Sequence, residues 1–194
     1  MVAVRQFDED EALDAIMRVF WTKGFRAASI DDIVSATGLK RGSLYAAFGD
    51  KAAMYAAAHA RYRREQEKVM MSALSGGGLR DAFEALFAAQ IDILSNPATP
   101  PGCLITVTFG EAPGRGDALE ETAGEDFERA RAAFRARLEE GRAELRSDAD
   151  LEAVAAFYTV TIRGIAALHR LRADRAEAEA IAAAALSALP LRAA

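Results

Sequence analysis

Residues Ser29–Lys51 read SIDDIVSATGLKRGSLYAAFGDK. Ser29 offers a hydroxyl N-cap, and Asp31 and Asp32 follow where the positive end of a helix dipole favours carboxylates. Ile30, Ile33 and Val34 then recur at helical spacing, and Thr37-Gly38 supplies a left-handed stop. Lys40-Arg41-Gly42-Ser43 opens a second short helix that carries Leu44 and Phe48 on one side. Two short helices joined by a tight glycine turn, the second starting with basic and hydroxyl residues, predict a helix-turn-helix.

Upstream, Asp8 is the expected N-cap of a first helix, with Glu11 closing a capping box. Ala12, Leu13, Ile16, Val19 and Phe20 form its inward stripe, Gly24 ends it, and Trp21 and Phe25 are expected in a small core. Downstream, Asp50 caps a long helix whose stripe of Met54, Ala58, Arg61/Tyr62, Glu65 and Val69 is only half apolar. Such a helix touches different partners along its length. Its cluster of Arg61, Arg63, Arg64 and Lys68 reads as a solvated face partly paired with Glu65 and Glu67.

Ser75-Gly76-Gly77-Gly78 breaks the chain before a helix bearing Phe83, Leu86, Phe87 and Ile91. A proline-rich loop, Asn96 to Gly102, precedes Cys103–Phe109, CLITVTF. Its β-branched residues favour a strand, but a solitary strand has no partner, so a buried helix is expected. A charged helix over 117–145 points Phe127, Ala130 and Phe134 inward. Asp148 is the expected cap of a helix over about 148–171 with Val154, Phe157, Tyr158, Thr161, Ile165 and Leu168. An alanine-rich helix follows over 174–189 with Ile181, Ala185, Leu186 and Leu189.

The 194 residues suffice for a sizeable core, and 52% hydrophobic content rich in alanine and leucine fits an all-α protein. A net charge of −5 excludes general coating of nucleic acid but not a local basic surface at Lys40, Arg41 and Lys51. No signal sequence opens the chain, and no uninterrupted apolar run approaches the roughly 20 residues of a membrane span, so a cytoplasmic protein with no membrane partner is expected. The single cysteine allows no internal disulfide. His59 and His169 are isolated, so neither a metal nor any other cofactor is expected. Glycine phosphate cradles, zinc spacings and nucleophile elbows are missing from the sequence, and the expected answer to enzyme activity is no.

The decisive stretch resembles the DNA-binding domain of the TetR (tetracycline repressor) family. Ser29, Ile30, Ile33, Val34, Thr37, Gly38, Leu39, Gly42, Ser43, Leu44, Tyr45, Phe48 and Lys51 fall on that family's pattern, with Ser29 where threonine is commoner and Lys40 where a neutral cap is usual. GSLYAAFGDK is similar to one branch, in which a Gly-Cys-Leu motif often follows, and Gly102-Cys103-Leu104 matches it. The resemblance implies about nine helices, with residues 1–52 forming a three-helix DNA-binding domain. It assigns 53–194 to a larger helical domain for effector binding and dimerisation. It also implies a ligand- or signal-responsive transcriptional regulator, most often a repressor, bound as a homodimer to a palindromic double-stranded operator. Two other readings stand beside it: a helix-turn-helix protein without small-molecule input, and a helical-bundle enzyme.

On this resemblance Ser29, Tyr45 and Lys51 are the expected phosphate contacts, Lys40, Arg41, Ser43 and Ala46 are the expected groove contacts, and Gly42 is counted among the DNA-binding residues. Arg41 suits a bidentate guanine contact and Ala46 a thymine methyl. Tyr62, Phe83, Phe87, Ile91, Val107, Phe109, Phe127, Phe134 and Tyr158 supply aromatic and apolar surface for an effector cavity. Cys103 belongs to that set as the point where an oxidant or electrophile would act. A thiol at a helix start is either such a reactive group or, among Leu104, Ile105 and Val107, an inert small hydrophobe. The dimer is expected to form through 148–171 and 174–189, with Ile165 among the inward residues.

Overall fold

The computed structural model describes residues 7–112, 114 and 118–192. Among them the chain forms nine α-helices, and its sole β-type pairing is an isolated bridge between Leu145 and Leu191. The Gly110–Gly116 loop expected from sequence lies partly outside the described residues. The chain divides into two compact units, 1–65 and 66–194.

In the first unit, α1 (Glu9–Ala27) starts where the Asp8 carboxylate accepts the Asp10 and Glu11 amides, at 2.8 and 3.2 Å. Gly24 interrupts it with non-helical angles, and the last turn continues to Ala27. Helix α2 (Ile30–Thr37) ends at Gly38, whose φ of 69° is left-handed and whose amide returns to Val34. A Cβ at Gly38 would meet nothing within 4 Å, so glycine is demanded there by the backbone angle and not by space. Helix α3 (Arg41–Phe48) follows, and α4 (Lys51–Leu74) begins where the Asp50 side chain accepts the Ala53 amide at 2.8 Å. Ile16, Phe20, Ile33, Leu44, Met54 and Ala58 are all fully buried and make the small core. Phe25 and Phe20 flank the Tyr55 ring, each 5.1 Å from it.

The boundary expected at 52–53 follows the end of the helix-turn-helix motif, whereas the packing divides inside α4 between Glu65 and Gln66. The reason is visible in α4 itself: Met54, Tyr55, Ala58, His59 and Tyr62 are buried in the first unit. Arg61 also differs from expectation. Its guanidinium reaches Asp14 at 2.5 Å and Asp10 at 2.8 Å on α1, not the neighbouring Glu65.

In the second unit, α5 (Leu79–Leu94), α6 (Leu104–Glu111), α7 (Ala118–Glu140), α8 (Leu151–Arg172) and α9 (Arg175–Ser187) follow the final turns of α4, with α8 packed against α5, α6, α7 and α9. CLITVTF is helical as expected, with Cys103 at the N-cap and Leu104, Ile105 and Thr108 buried. Helix α7 stops earlier than expected, followed by a 3₁₀ turn at Arg142–Glu144. Glu144 caps α5 by accepting the Leu79 amide at 2.9 Å, and Arg137 donates to the Leu74 and Gly77 carbonyls, each at 2.8 Å. These two side chains satisfy the orphaned groups of the glycine-rich turn. The cap of α8 is Asp150 and not Asp148; its carboxylate accepts the Glu152 and Ala153 amides. Asp174 caps α9 in the same way.

Helix α8 is apolar almost all round, with a mean hydropathy of 1.4 over its most apolar window and only a third of that window buried. One face, with Ala155, Tyr158, Thr159, Ile162, Ile165, Ala166 and His169, is buried within the unit. The opposite face exposes Phe157, Val160 and Leu171, and a Cβ at Gly164 on this side would meet nothing.

Candidate nucleic-acid interface

Two glycines and one leucine position α3. Gly38 turns the chain out of α2, Leu44 is buried beneath α3, and Gly49, with φ 77°, turns it into α4. The opposite side of α3 is left to solvent: Lys40, Arg41, Gly42, Ser43, Tyr45 and Ala46 are all exposed, Tyr45 by 44%. Lys40 sits at the N-cap without a side-chain cap bond, so its ammonium group is not drawn into the helix start. A side chain at Gly42 would meet nothing within 4 Å. Glycine in a helix costs up to roughly 1 kcal/mol relative to alanine, and nothing inside the chain demands it at this position.

Ser29, an expected phosphate contact, is the N-cap of α2. Its hydroxyl accepts the Asp32 amide at 3.1 Å and lies 2.8 Å from Asp32 Oδ2, which also accepts the Ser29 amide at 2.9 Å. This reciprocal capping box starts α2. Lys23 on α1 donates to the other Asp32 oxygen at 2.5 Å. Asp32 is thereby held at about 2, first by the Lys23 hydrogen bond and then by the Ser29 amide and hydroxyl. Lys51 has its ammonium 3.4 Å from the Arg26 carbonyl and 4.8 Å above the Phe25 ring, at the very start of α4. Arg41 donates to Asp31.

The expected effector residues do not form one group. Tyr62 belongs to the first unit, where its ring meets Trp21 edge-on at 4.7 Å. Phe83, Phe87, Phe134 and Tyr158 are buried together, with Phe83 4.3 Å from Tyr158 and 5.9 Å from Phe134. Ile91 is buried on the same helix as Phe83 and Phe87. The Tyr158 hydroxyl donates to the Ala185 carbonyl at 2.9 Å, and burial pushes its pKa up. Phe109 and Phe127 form a second, more exposed pair at 6.1 Å, and Val107 is half-buried. Cys103 is 3% exposed, with its sulfur 3.7 Å from an Arg163 nitrogen on α8. Gly102 beside it packs so closely on α8 that a Cβ would lie 2.9 Å from Arg170 Cβ. Surface grooves of about 370 and 330 Å³ run along α7, but they are lined by other residues, such as Glu128, Arg131 and Arg135 in the first and Met71, Leu74 and Arg137 in the second. No group of metal-ligating side chains occurs among the described residues.

An all-helical chain with a helix-turn-helix unit followed by a larger helical unit defines the class of two-part bacterial regulators. The family description "Bacterial regulatory proteins, tetR family" matches residues 12–58, and "Tetracyclin repressor-like, C-terminal domain" matches residues 80–185. The chain belongs to the TetR family. It is 35% identical over 101 residues to the HTH-type transcriptional repressor ComR of Escherichia coli (strain K12), a match covering 51% of this chain and 48% of that protein. It is 26% identical over 102 residues to the HTH-type regulator YezE of Bacillus subtilis (strain 168). The chain thus spans about half the length of each of these curated relatives. Among solved structures, a cysteine mutant of the TetR-family regulator CifR complexed with 26-bp operator DNA superposes with a TM-score of 0.89. That likeness covers 96% of this chain and 99% of CifR at 28% identity.

Asp32 generates a prediction about acid stability. Its folded pKa lies below the ordinary carboxyl value of 3.8, so its contribution is complete above about pH 4 and is lost as pH falls towards 2. Trp21, the chain's one tryptophan and buried in this unit, reports unfolding. In urea titrations followed by Trp21 fluorescence, wild-type stability should fall between pH 4 and pH 2. Asp32→Asn should start lower at pH 7 and change less across that interval. Parallel curves for the two proteins would refute this role of the capping box.

Proposed function

We propose that the protein is a dimeric transcriptional repressor that binds a palindromic double-stranded DNA operator and releases it on meeting a small molecule. In this reading residues 1–52 read DNA, and 53–194 carry effector and dimer functions. The observation that carries the proposal is the solvent-facing side of α3: a basic, small-residue surface on a helix held in place by left-handed glycines, on a chain similar along its length to a regulator solved on operator DNA. The relative named a repressor favours repression. Gly42 fits the same reading, because a position with open space and no internal need for glycine suits close approach by a phosphate backbone. Acting on operators places the protein in the cytoplasm.

Two recognition helices of a dimer are spaced by about 34–36 Å, one turn of DNA, so each α3 enters successive major grooves. The dimer forms through α8 and α9. Phe157, Val160, Gly164 and Leu171 recur at helical spacing on the uncovered side of α8. Ala180, Ala183, Ala184 and Ser187 give α9 an exposed small-residue stripe of its own. Small residues let a second helix pair approach closely.

The effector acts in the second unit, on the α5–α8 aromatic set or at Cys103. His169 Nδ1, Thr106 Oγ1 and Ser95 Oγ are buried without a protein hydrogen-bond partner, so polar groups are available there to orient a ligand. An electrophile such as a maleimide would add to Cys103: the S–H bond breaks with its proton lost to solvent, the carbon–sulfur bond forms as the C=C π bond opens, and the adjacent carbon takes up a proton. With one cysteine in the chain, an oxidant would need an external thiol to form a disulfide.

Three measurements test this. Selection from random DNA should return a palindrome, with binding that weakens steeply as salt rises. Lys51→Ala should weaken all sequences alike, while Arg41→Ala should also relax preference at one position by a factor matching about 1–3 kcal/mol. A selection that returns no palindrome overturns the operator reading.

Val160→Asp should give monomers in sedimentation and weaken operator binding by far more than it perturbs folding, because the side chain is 58% exposed within the protomer. A Val160→Asp protein that stays dimeric removes α8 from the interface.

An electrophile such as N-ethylmaleimide should release the operator from wild type and not from Cys103→Ser. Equal responses would leave the thiol as part of the core and make the effector a non-covalent ligand.

A further inference from the structure

One ion pair on the α3 side of the first unit is out of keeping with simple attraction to DNA. Arg41, the first residue of α3, donates from Nη2 to Oδ1 of Asp31 in the first turn of α2. Their side chains are 56% and 80% exposed, so the pair holds no buried surface together. Asp31 is not needed as a cap either, because Ser29 and Asp32 form that box. The two neighbouring carboxylates are differently placed. Asp32 faces Lys23 on α1, whereas Asp31 faces the residue best suited to read a guanine.

In helix-turn-helix docking the first helix crosses the phosphate backbone and the N-terminal residues of the second meet base edges. A carboxylate at the start of α2 is therefore repelled by DNA of any sequence. It also occupies one edge of a guanidinium that would otherwise seize the nearest phosphate. Arginine has five N–H donors in a fixed fork, so one donated to Asp31 leaves others for a bidentate contact to guanine O6 and N7.

Taking α3 as the groove helix, on which this inference rests, we propose that Asp31 is a specificity-determining residue: it holds the Arg41 guanidinium off the phosphates and presents it to a base edge. Contact with a phosphate sets a second anion against the Asp31 carboxylate and competes with it for the guanidinium. Contact with the neutral O6/N7 edge of a guanine carries no such repulsion. Asp31 thus weakens binding to arbitrary DNA more than it weakens binding to the operator, and what it contributes is the ratio between them.

The test uses the full chain, the operator obtained by selection, and a scrambled duplex of the same length. Asp31→Asn removes the charge at nearly constant shape and leaves the Ser29–Asp32 cap in place; Asp31→Ser is a second neutral variant, and circular dichroism checks the fold of each. Exposed pairs of this kind shift an equilibrium by up to roughly fivefold, so the two protomers of a dimer should strengthen scrambled-duplex binding by up to about 25-fold. The slope of log affinity against log salt should steepen by about one to two units as the freed arginines take phosphates. Operator affinity should rise less, so the specificity ratio falls, and the ratio should stop responding to Asp31→Asn once Arg41→Ala is present. Equal strengthening on both duplexes, or a ratio change that persists without Arg41, overturns the assignment. Wild-type protein with no operator preference would overturn the groove reading and this inference with it. An operator preference that Asp31→Asn and Asp31→Ser leave intact overturns this inference alone.

Discussion

An eight-residue helix is not stable by itself in water, since nucleation costs more than so few backbone hydrogen bonds return. Helix α3 exists because the rest of the first unit holds it. Leu44 enters a core that is closed by Ile16, Phe20, Ile33 and Met54, and the glycine conformations at 38 and 49 fix the directions in which the chain enters and leaves. Ser29, Asp32 and Lys23 add a charged clamp that ties the start of α2 to α1. With its inward side secured in this way, α3 can carry an outward side chosen for something other than stability. Gly42 and the uncapped Lys40 are both poor choices for a helix and good ones for a surface that meets another molecule.

Charge follows the same division. The chain carries five more acidic than basic side chains, and two of the acids lie in the first turn of α2, beside the basic start of α3. If affinity for DNA were the only requirement, those carboxylates would be a liability. A regulator competes against a large excess of arbitrary sites, so its useful quantity is the ratio of operator to general binding. Acids that temper the basic face act on that ratio. Arg61 shows the opposite use of an arginine: Asp10 and Asp14 engage it with a side chain only 27% exposed, and these acids raise its pKa further, so it braces α1 against α4.

The features legible in the sequence were those set by neighbouring residues. The Ser29 cap, the Gly38 stop and the Asp50 start are local chemistry, and each formed where expected. CLITVTF became a helix because its isolation outweighed its β-branched content. What could not be read depends on partners distant in the chain. Arg61 had Glu65 one helical turn away but took Asp10 and Asp14, 51 and 47 residues earlier. Tyr62 lies on a helix shared by both units, and apolar periodicity shows that a face is buried without showing against what. Asp148 and Asp150 are equally good caps by residue type, and only the backbone geometry separates them. Aromatic content also says nothing about whether rings surround a space or fill it. Phe83, Phe87, Phe134 and Tyr158 are packed on one another, while Phe109 and Phe127 pair elsewhere.

Helix α8 shows why periodicity alone could not separate core from interface. Its apolar residues run nearly all the way round, so Ile165 and Val160 read alike in sequence, yet one is 3% exposed and the other 58%. The buried and uncovered faces meet at Phe157 and Tyr158, whose rings contact edge to face at 5.2 Å. Phe157 belongs to the stripe that a second protomer would cover, and Tyr158 belongs to the aromatic cluster with Phe83 and Phe87. Interiors are close-packed, so a displacement of Tyr158 by even a fraction of an ångström must be absorbed by its neighbours. Its hydroxyl donates to the Ala185 carbonyl of α9, which couples the ring to that helix. A change inside the aromatic cluster would therefore reach both helices of the proposed dimer face through a single side chain, without any rearrangement of the loops.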